Sequence, residues 1–97
     1  MNVVVLDPAE EDIRKIRDYL ESQRPGLGEE FLDELNKAGD RILQFPQRYA
    51  MYDKLHRLCP MHRFKVGIYY YVGTNVYIDA VIDLRRSPRY VRRRLKW

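Results

Sequence analysis

From Arg63 to Leu84 the chain alternates apolar and polar residues about one short turn, a pattern that few folds accommodate. Phe64, Val66, Ile68, Tyr70 and Val72 share one face of the first run; Arg63, Lys65, Gly67, Tyr69 and Tyr71 share the other. Gly73-Thr74-Asn75 supplies a hairpin turn. The second run places Val76, Ile78, Ala80, Ile82 and Leu84 inward and Tyr77, Asp79, Val81 and Asp83 outward. A period of two on this scale predicts an antiparallel pair with a packed face and a second face of different character.

The preceding residues supply what covers the packed face. Val3-Val4-Val5-Leu6 reads as a short strand buried on both faces, bounded by Asp7-Pro8. Asp7-Pro8-Ala9-Glu10 has the order of a helix start, with Asp7 as N-cap and Pro8 at the first helical position. Ala9, Ile13, Ile16 and Leu20 form one helical face that Pro25-Gly26 interrupts. A second helix is predicted from near Leu27 to just before Pro46, with Phe31, Leu35, Ala38, Ile42 and Phe45 as its apolar stripe. Gly39 within it points to close backbone packing. Tyr49 to Leu58 reads as a further strand, and Ser87-Pro88 as the cap and first residue of a short final helix pinned by Val91 and Leu95. The expected order is β-α-α-β-β-β-α: an α+β fold in which an αα-hairpin packs on one face of a small antiparallel sheet. The other face stays open or takes a partner.

At 97 residues this is the length of one domain, 1–97, with a modest core. A hydrophobic content of 45% with eleven Phe and Tyr residues and one Trp excludes a disordered chain. Cys59 is the only cysteine, so no internal disulfide forms, which fits a reducing cytoplasm. The N-terminus lacks the basic and apolar segments of a signal peptide, and no stretch is long and apolar enough to span a membrane. No metal-ligand spacing, Gly-rich phosphate loop or nucleophilic triad stands out, so neither metal nor cofactor is expected.

Charge is distributed unevenly. Residues 85–97 hold six arginines, one lysine and no acid, whereas the whole chain has a net charge of only +4. Residues 7–41 hold eleven acids against six bases, so the helical hairpin should be negative outside. An arginine-dense end suits bidentate recognition of phosphate or carboxylate. The binding candidates are therefore Arg85, Arg86, Arg89, Arg92, Arg93 and Arg94 on the tail, with Arg63, Lys65, Tyr69 and Tyr71 on the open sheet face. His56 and His62 are expected to be solvated surface histidines, and Cys59 a turn residue beside Pro60. Asp79 and Asp83 should pair with Arg63, Lys65 or a tail arginine.

Taken together these stretches resemble the RelE/ParE superfamily, the toxins of type II toxin–antitoxin modules. The matching segments are the opening strand into Asp7-Pro8-Ala9-Glu10-Glu11-Asp12-Ile13, then Ile16-Arg17-Asp18-Tyr19-Leu20 and Phe45-Pro46. They continue through Arg63-Phe64, Ile68-Tyr69-Tyr70-Tyr71-Val72, Val76 to Ile82, and Arg85-Arg86-Ser87-Pro88. The resemblance implies a cytoplasmic toxin neutralised by a cognate antitoxin in a hetero-oligomer. It leaves two activities: ParE-like inhibition of DNA gyrase without catalysis, or RelE-like cleavage of ribosome-bound mRNA. A third reading is a nucleic-acid-binding module that kept the fold and lost the activity.

The chain departs from the RNase branch. Asp83 stands where many members have His, Gly67 where a central-strand arginine is expected, and Leu84 where the next arginine falls. Only Arg86 and Tyr90 keep the spacing of that branch's arginine and helical tyrosine, so they are the catalytic candidates if the chain is an enzyme. The incomplete set favours the ParE-like side.

Overall fold

The computed structural model describes residues 1–96; Trp97, the end of the basic tail, lies outside the described residues. The elements are β1 (Val3–Val5), α1 (Asp7–Gln23), α2 (Leu27–Gln44), β2 (Arg57–Pro60), β3 (Val66–Val72), β4 (Val76–Asp83) and α3 (Pro88–Leu95). The order and the α+β class are those expected. The sheet runs β1-β4-β3-β2. Its last three strands are antiparallel, but β1 joins β4 in parallel, pairing Val3 with Val76 and Val5 with Ile78. A parallel neighbour needs a long crossover, which the helical hairpin and two strands provide. As an edge strand β1 is half-buried, not buried on both faces; Val3 and Val5 pack inward.

The hairpin packs as its apolar spacing demands. Ala9, Ile13, Ile16 and Leu20 of α1 and Phe31, Ala38 and Ile42 of α2 meet Val66, Ile68, Tyr70, Val76, Ile78 and Val81 of the sheet. Each large side chain fully buried here stabilises the fold by roughly 1.5–3 kcal/mol. Helix α1 starts differently from the sequence expectation: Leu6 is the N-cap, and no side chain caps the helix. Asp7 and Glu10 still place negative charge at the positive end of the helix dipole. At the corner, Gly26 takes φ +90, a left-handed conformation that suits glycine. Glu21 caps α2 from outside, accepting from the backbone N–H of Gly26 and of Gly28, both at 3.0 Å.

Close helix approach falls on Gly28, not Gly39. A Cβ on Gly28 would sit 2.9 Å from the carbonyl oxygen of Arg17, whereas one on Gly39 would meet nothing within 4 Å. Phe45 is also displaced from its expected role: it caps α2 at its C-terminal end and is 54% exposed.

The predicted alternation breaks at two places. Before β3, Phe64 and Lys65 adopt φ of 74 and 48, so the chain turns there and the strand begins only at Val66. No Gly, Asn or Asp marks this turn, which hid it in the sequence. Phe64 is held by edge-on packing against Phe31, with ring centroids 5.7 Å apart. In β4, Tyr69 opposes Ala80 while Tyr70 opposes Ile78, leaving Asp79 as an extra residue. That bulge shifts the facing of every later side chain. Val81, expected outward, enters the hairpin core, and Ala80 and Ile82 turn to the opposite face. The strand expected from Tyr49 shrinks to Arg57–Pro60, with one isolated bridge between Met51 and Arg57.

Candidate functional site

The bulge creates a second small core, and α3 closes it. Val91 and Leu95 pack on Tyr69, Ala80 and Ile82, with Tyr52, Leu58 and Tyr90 around them. The sheet face expected to stand open is therefore covered at this end by the chain's own C-terminal helix. Tyr69 is only 3% exposed and meets Tyr52 edge-on, so it belongs to this core and offers no binding surface. Burial pushes the Tyr69 hydroxyl above its ordinary pKa. Ser87 caps α3 as expected, its hydroxyl accepting from the Tyr90 N–H at 3.2 Å.

The arginines divide into three sets. Arg94 is structural: its Nη2 donates to Asp12 Oδ2 at 2.7 Å, with both side chains mostly buried. The same Asp12 oxygen accepts the backbone N–H of Val81 at 2.9 Å. Asp12 thus satisfies the edge of β4 beyond the end of β1 and anchors α3 to α1. Arg85 and Arg86 are held locally. Arg85 donates to both carboxylate oxygens of Asp83 and holds that carboxyl at a pKa of about 2. Arg86 stacks on the Tyr90 ring, 3.6 Å from its centroid. Arg89, Arg92 and Arg93 are exposed and form no ion pair among the described residues. These three, with the exposed Lys96, retain the free positive charge that the sequence assigned to the whole tail.

Arg63 and Lys65 leave the sheet face altogether, because the β2–β3 turn carries them. Arg63 stacks on Phe64 and donates to Glu30 of α2 at 3.0 Å. Lys65 is exposed in the left-handed turn. Tyr71 stays on the face opposite the helical hairpin, half-buried and stacked on Tyr77 at 5.2 Å. Asp83 pairs with a tail arginine as expected; Asp79 does not.

Asp79 instead reaches His56, which sequence reasoning had placed in solvent. His56 is fully buried, with Nε2 2.8 Å from Asp79 Oδ2 and Nδ1 3.0 Å from Asp53 Oδ2. Tyr71 meets the imidazole edge-on at 5.7 Å. Each ring nitrogen faces a carboxylate, and both can donate only in the cationic form. For Asp53, burial works against ionisation but is outweighed by the His56 and Leu55 backbone N–H groups and the imidazole, which lower its pKa. The cluster ties the 53–56 turn to the bulge in β4. Sequence offered one signal for it, Asp53 three residues before His56, but Asp79 came through the unforeseen bulge. His62 lies exposed in the next turn and Cys59 is fully buried in β2, where burial raises its thiol pKa.

The RNase candidates do not assemble around an accessible base. Gly67 is buried, and a Cβ there would approach Leu58 Cδ1 to 2.6 Å and Leu84 Cδ2 to 2.7 Å, so the ends of two leucine side chains occupy the place of the missing arginine. Arg86 and Tyr90 do meet, but they use each other's faces. Among the described residues no group of three or more His, Cys, Asp or Glu is arranged to hold a metal ion, and no helix is long and apolar enough to cross a membrane.

Sheet order, helical hairpin and docked C-terminal helix together define an α+β fold that solved structures share. One is described as the chromosomal ParDE TA system from P. aeruginosa: TM-score 0.75, 15% identity, covering 86% of this chain and 95% of that one. At that identity the likeness shows the fold alone. A search of curated proteins finds no match. The family model for the ParE toxin of the type II toxin-antitoxin system, parDE, matches residues 3–89. The chain belongs to the ParE toxin family.

Proposed function

We propose that this chain is the toxin of a type II toxin–antitoxin pair that arrests growth by binding DNA gyrase, without catalysis of its own. A cognate antitoxin, bound in a cytoplasmic hetero-oligomer, neutralises it. Family membership over residues 3–89 supports the toxin role. One observation favours binding over mRNA cleavage: His56 is fully buried between Asp53 and Asp79 and so presents no imidazole at the surface. Cleavage through a 2′-hydroxyl needs a positioned base, an acid and cations around the phosphorane. Arg86 and Tyr90 alone do not supply that set.

The free charge on Arg89, Arg92 and Arg93 is the contact surface for an acidic partner, and the negative helical hairpin gives an antitoxin a second, complementary one. The test is induction of the chain without antitoxin, followed by plasmid topology and mRNA integrity in the arrested cells. Relaxed plasmid with intact mRNA fits this reading; mRNA cut on ribosomes assigns the RelE-like activity instead. Normal growth with neither effect assigns an inactive binding module.

A further inference from the structure

Where α2 ends, the surface carries basic side chains that no carboxylate pairs among the described residues. Basic side chains along the helices find carboxylates: Arg14 with Glu11, Arg17 with Asp18, and Arg24 with Glu30. Among the described residues Arg41, Arg48 and Arg57 form no ion pair, and the Nε of Arg41 is buried without a hydrogen-bond partner. Arg57 spends its guanidinium on the backbone carbonyls of Gln47 and Tyr49, at 3.1 and 2.8 Å. Arg48 lies over the rings of Phe45 and Tyr49, 5.8 and 5.7 Å from their centroids.

Of these three, Arg48 lines an apolar pocket of about 610 Å³, together with Met1, Gln44, Phe45, Pro46, Gln47 and Val72. Among the described residues no acid lines it, and no residue of α3 does. Its floor is fixed: the Tyr70 hydroxyl donates to the Pro46 carbonyl at 2.6 Å and holds the end of α2 to β3. Phe45, at 54% exposure, is left in solvent where Pro46 stops the helix. An exposed aromatic beside a preformed apolar pocket is the composition of a protein contact rather than of a solvated surface. Arg48, which has no ion-pair partner among the described residues, sets the sign of what binds beside it.

We infer that this pocket docks a protein segment presenting one large apolar side chain next to a carboxylate. The apolar side chain fills the space beside Phe45 and Val72, and a flanking carboxylate takes the Arg48 guanidinium. The surface is separate from the free arginines of α3, so its occupancy does not depend on whether gyrase is the target.

The test is amide-shift mapping on the ¹⁵N-labelled chain with a synthetic peptide carrying a central phenylalanine flanked by glutamates. A lysine-flanked peptide and a single-stranded oligonucleotide serve as comparators. The glutamate peptide should shift Gln44, Phe45, Gln47, Arg48 and Val72 first, and Phe45→Ser or Arg48→Glu should weaken it about fivefold or more. Both positions are exposed, and the remaining amide spectrum reports whether each variant keeps the fold. Several results would overturn the assignment: no saturable shift at millimolar peptide, shifts confined to α3 that survive both substitutions, or an equal response to the lysine peptide. Oligonucleotide binding at the same amides would also overturn it, by making the site one for phosphate.

Discussion

Asp12 makes two contacts through one carboxylate, and they set what Arg94 of the basic tail can do. It accepts the Val81 N–H and the Arg94 guanidinium together, so removing either partner leaves a mostly buried charge unmatched. Arg94→Ala should therefore destabilise the fold by about 1–3 kcal/mol in urea unfolding, a range set by charged hydrogen bonds. Arg93→Ala, in solvent one residue earlier, should stay within about 0.5 kcal/mol. Equal effects would deny the distinction between anchoring and free arginines. A second residue-scale prediction concerns Lys65, at φ 48. Lys65→Gly should be neutral or stabilising by up to about 1 kcal/mol, since left-handed backbone costs an ordinary residue roughly 1–2 kcal/mol and glycine recovers part of it. A third concerns acid. Asp83 has its folded pKa depressed to about 2 from 3.8, and Asp53 is lowered as well. Their contributions are complete above the unfolded value and fade as pH falls from about 4 towards 2. Asp83→Asn should flatten the decline of the urea midpoint over that window, modestly because the pair is exposed.

At the scale of elements, the helices were legible in the sequence and the faces of the sheet were not. Spacings of three and four fixed α1 and α2 because each helix has one dry side, and Ser87-Pro88 marked the start of α3. The sheet misled because a period of two has no memory across an irregularity: one extra residue at Asp79 reverses everything after it. A turn at Phe64-Lys65 without turn residues had the same effect on Arg63 and Lys65. The two helical glycines give an opposed pair of predictions. Gly28→Ala brings a Cβ against the Arg17 carbonyl and should cost about 1–3 kcal/mol, the usual range for overpacking. Gly39→Ala has open space and should gain up to about 1 kcal/mol from helix propensity. Thermal unfolding of both variants checks the signs; the same sign for both would contradict the packing described.

For the molecule as a whole, sequence resemblance foretold the family and the structure redistributed its functional residues. Tyr69 and Arg94 turned out to hold the fold together, Arg63 and Lys65 to belong to a turn, and His56 to be locked in a buried cluster. None of this could be read from one sequence, because each depends on pairing between distant segments: Asp12 with Arg94, Asp79 with His56, Glu30 with Arg63. Among the exposed and unpaired charges suited to binding are those on Arg89, Arg92, Arg93 and Arg48. A toxin acting in this way inhibits in proportion to the complex it forms. The most direct measurement is gyrase supercoiling by purified enzyme titrated with purified toxin, with ribosome-bound mRNA followed in parallel. The account predicts inhibition that saturates at a fixed toxin-to-gyrase ratio while the mRNA stays whole. Unaffected supercoiling with mRNA cut over many turnovers would contradict it.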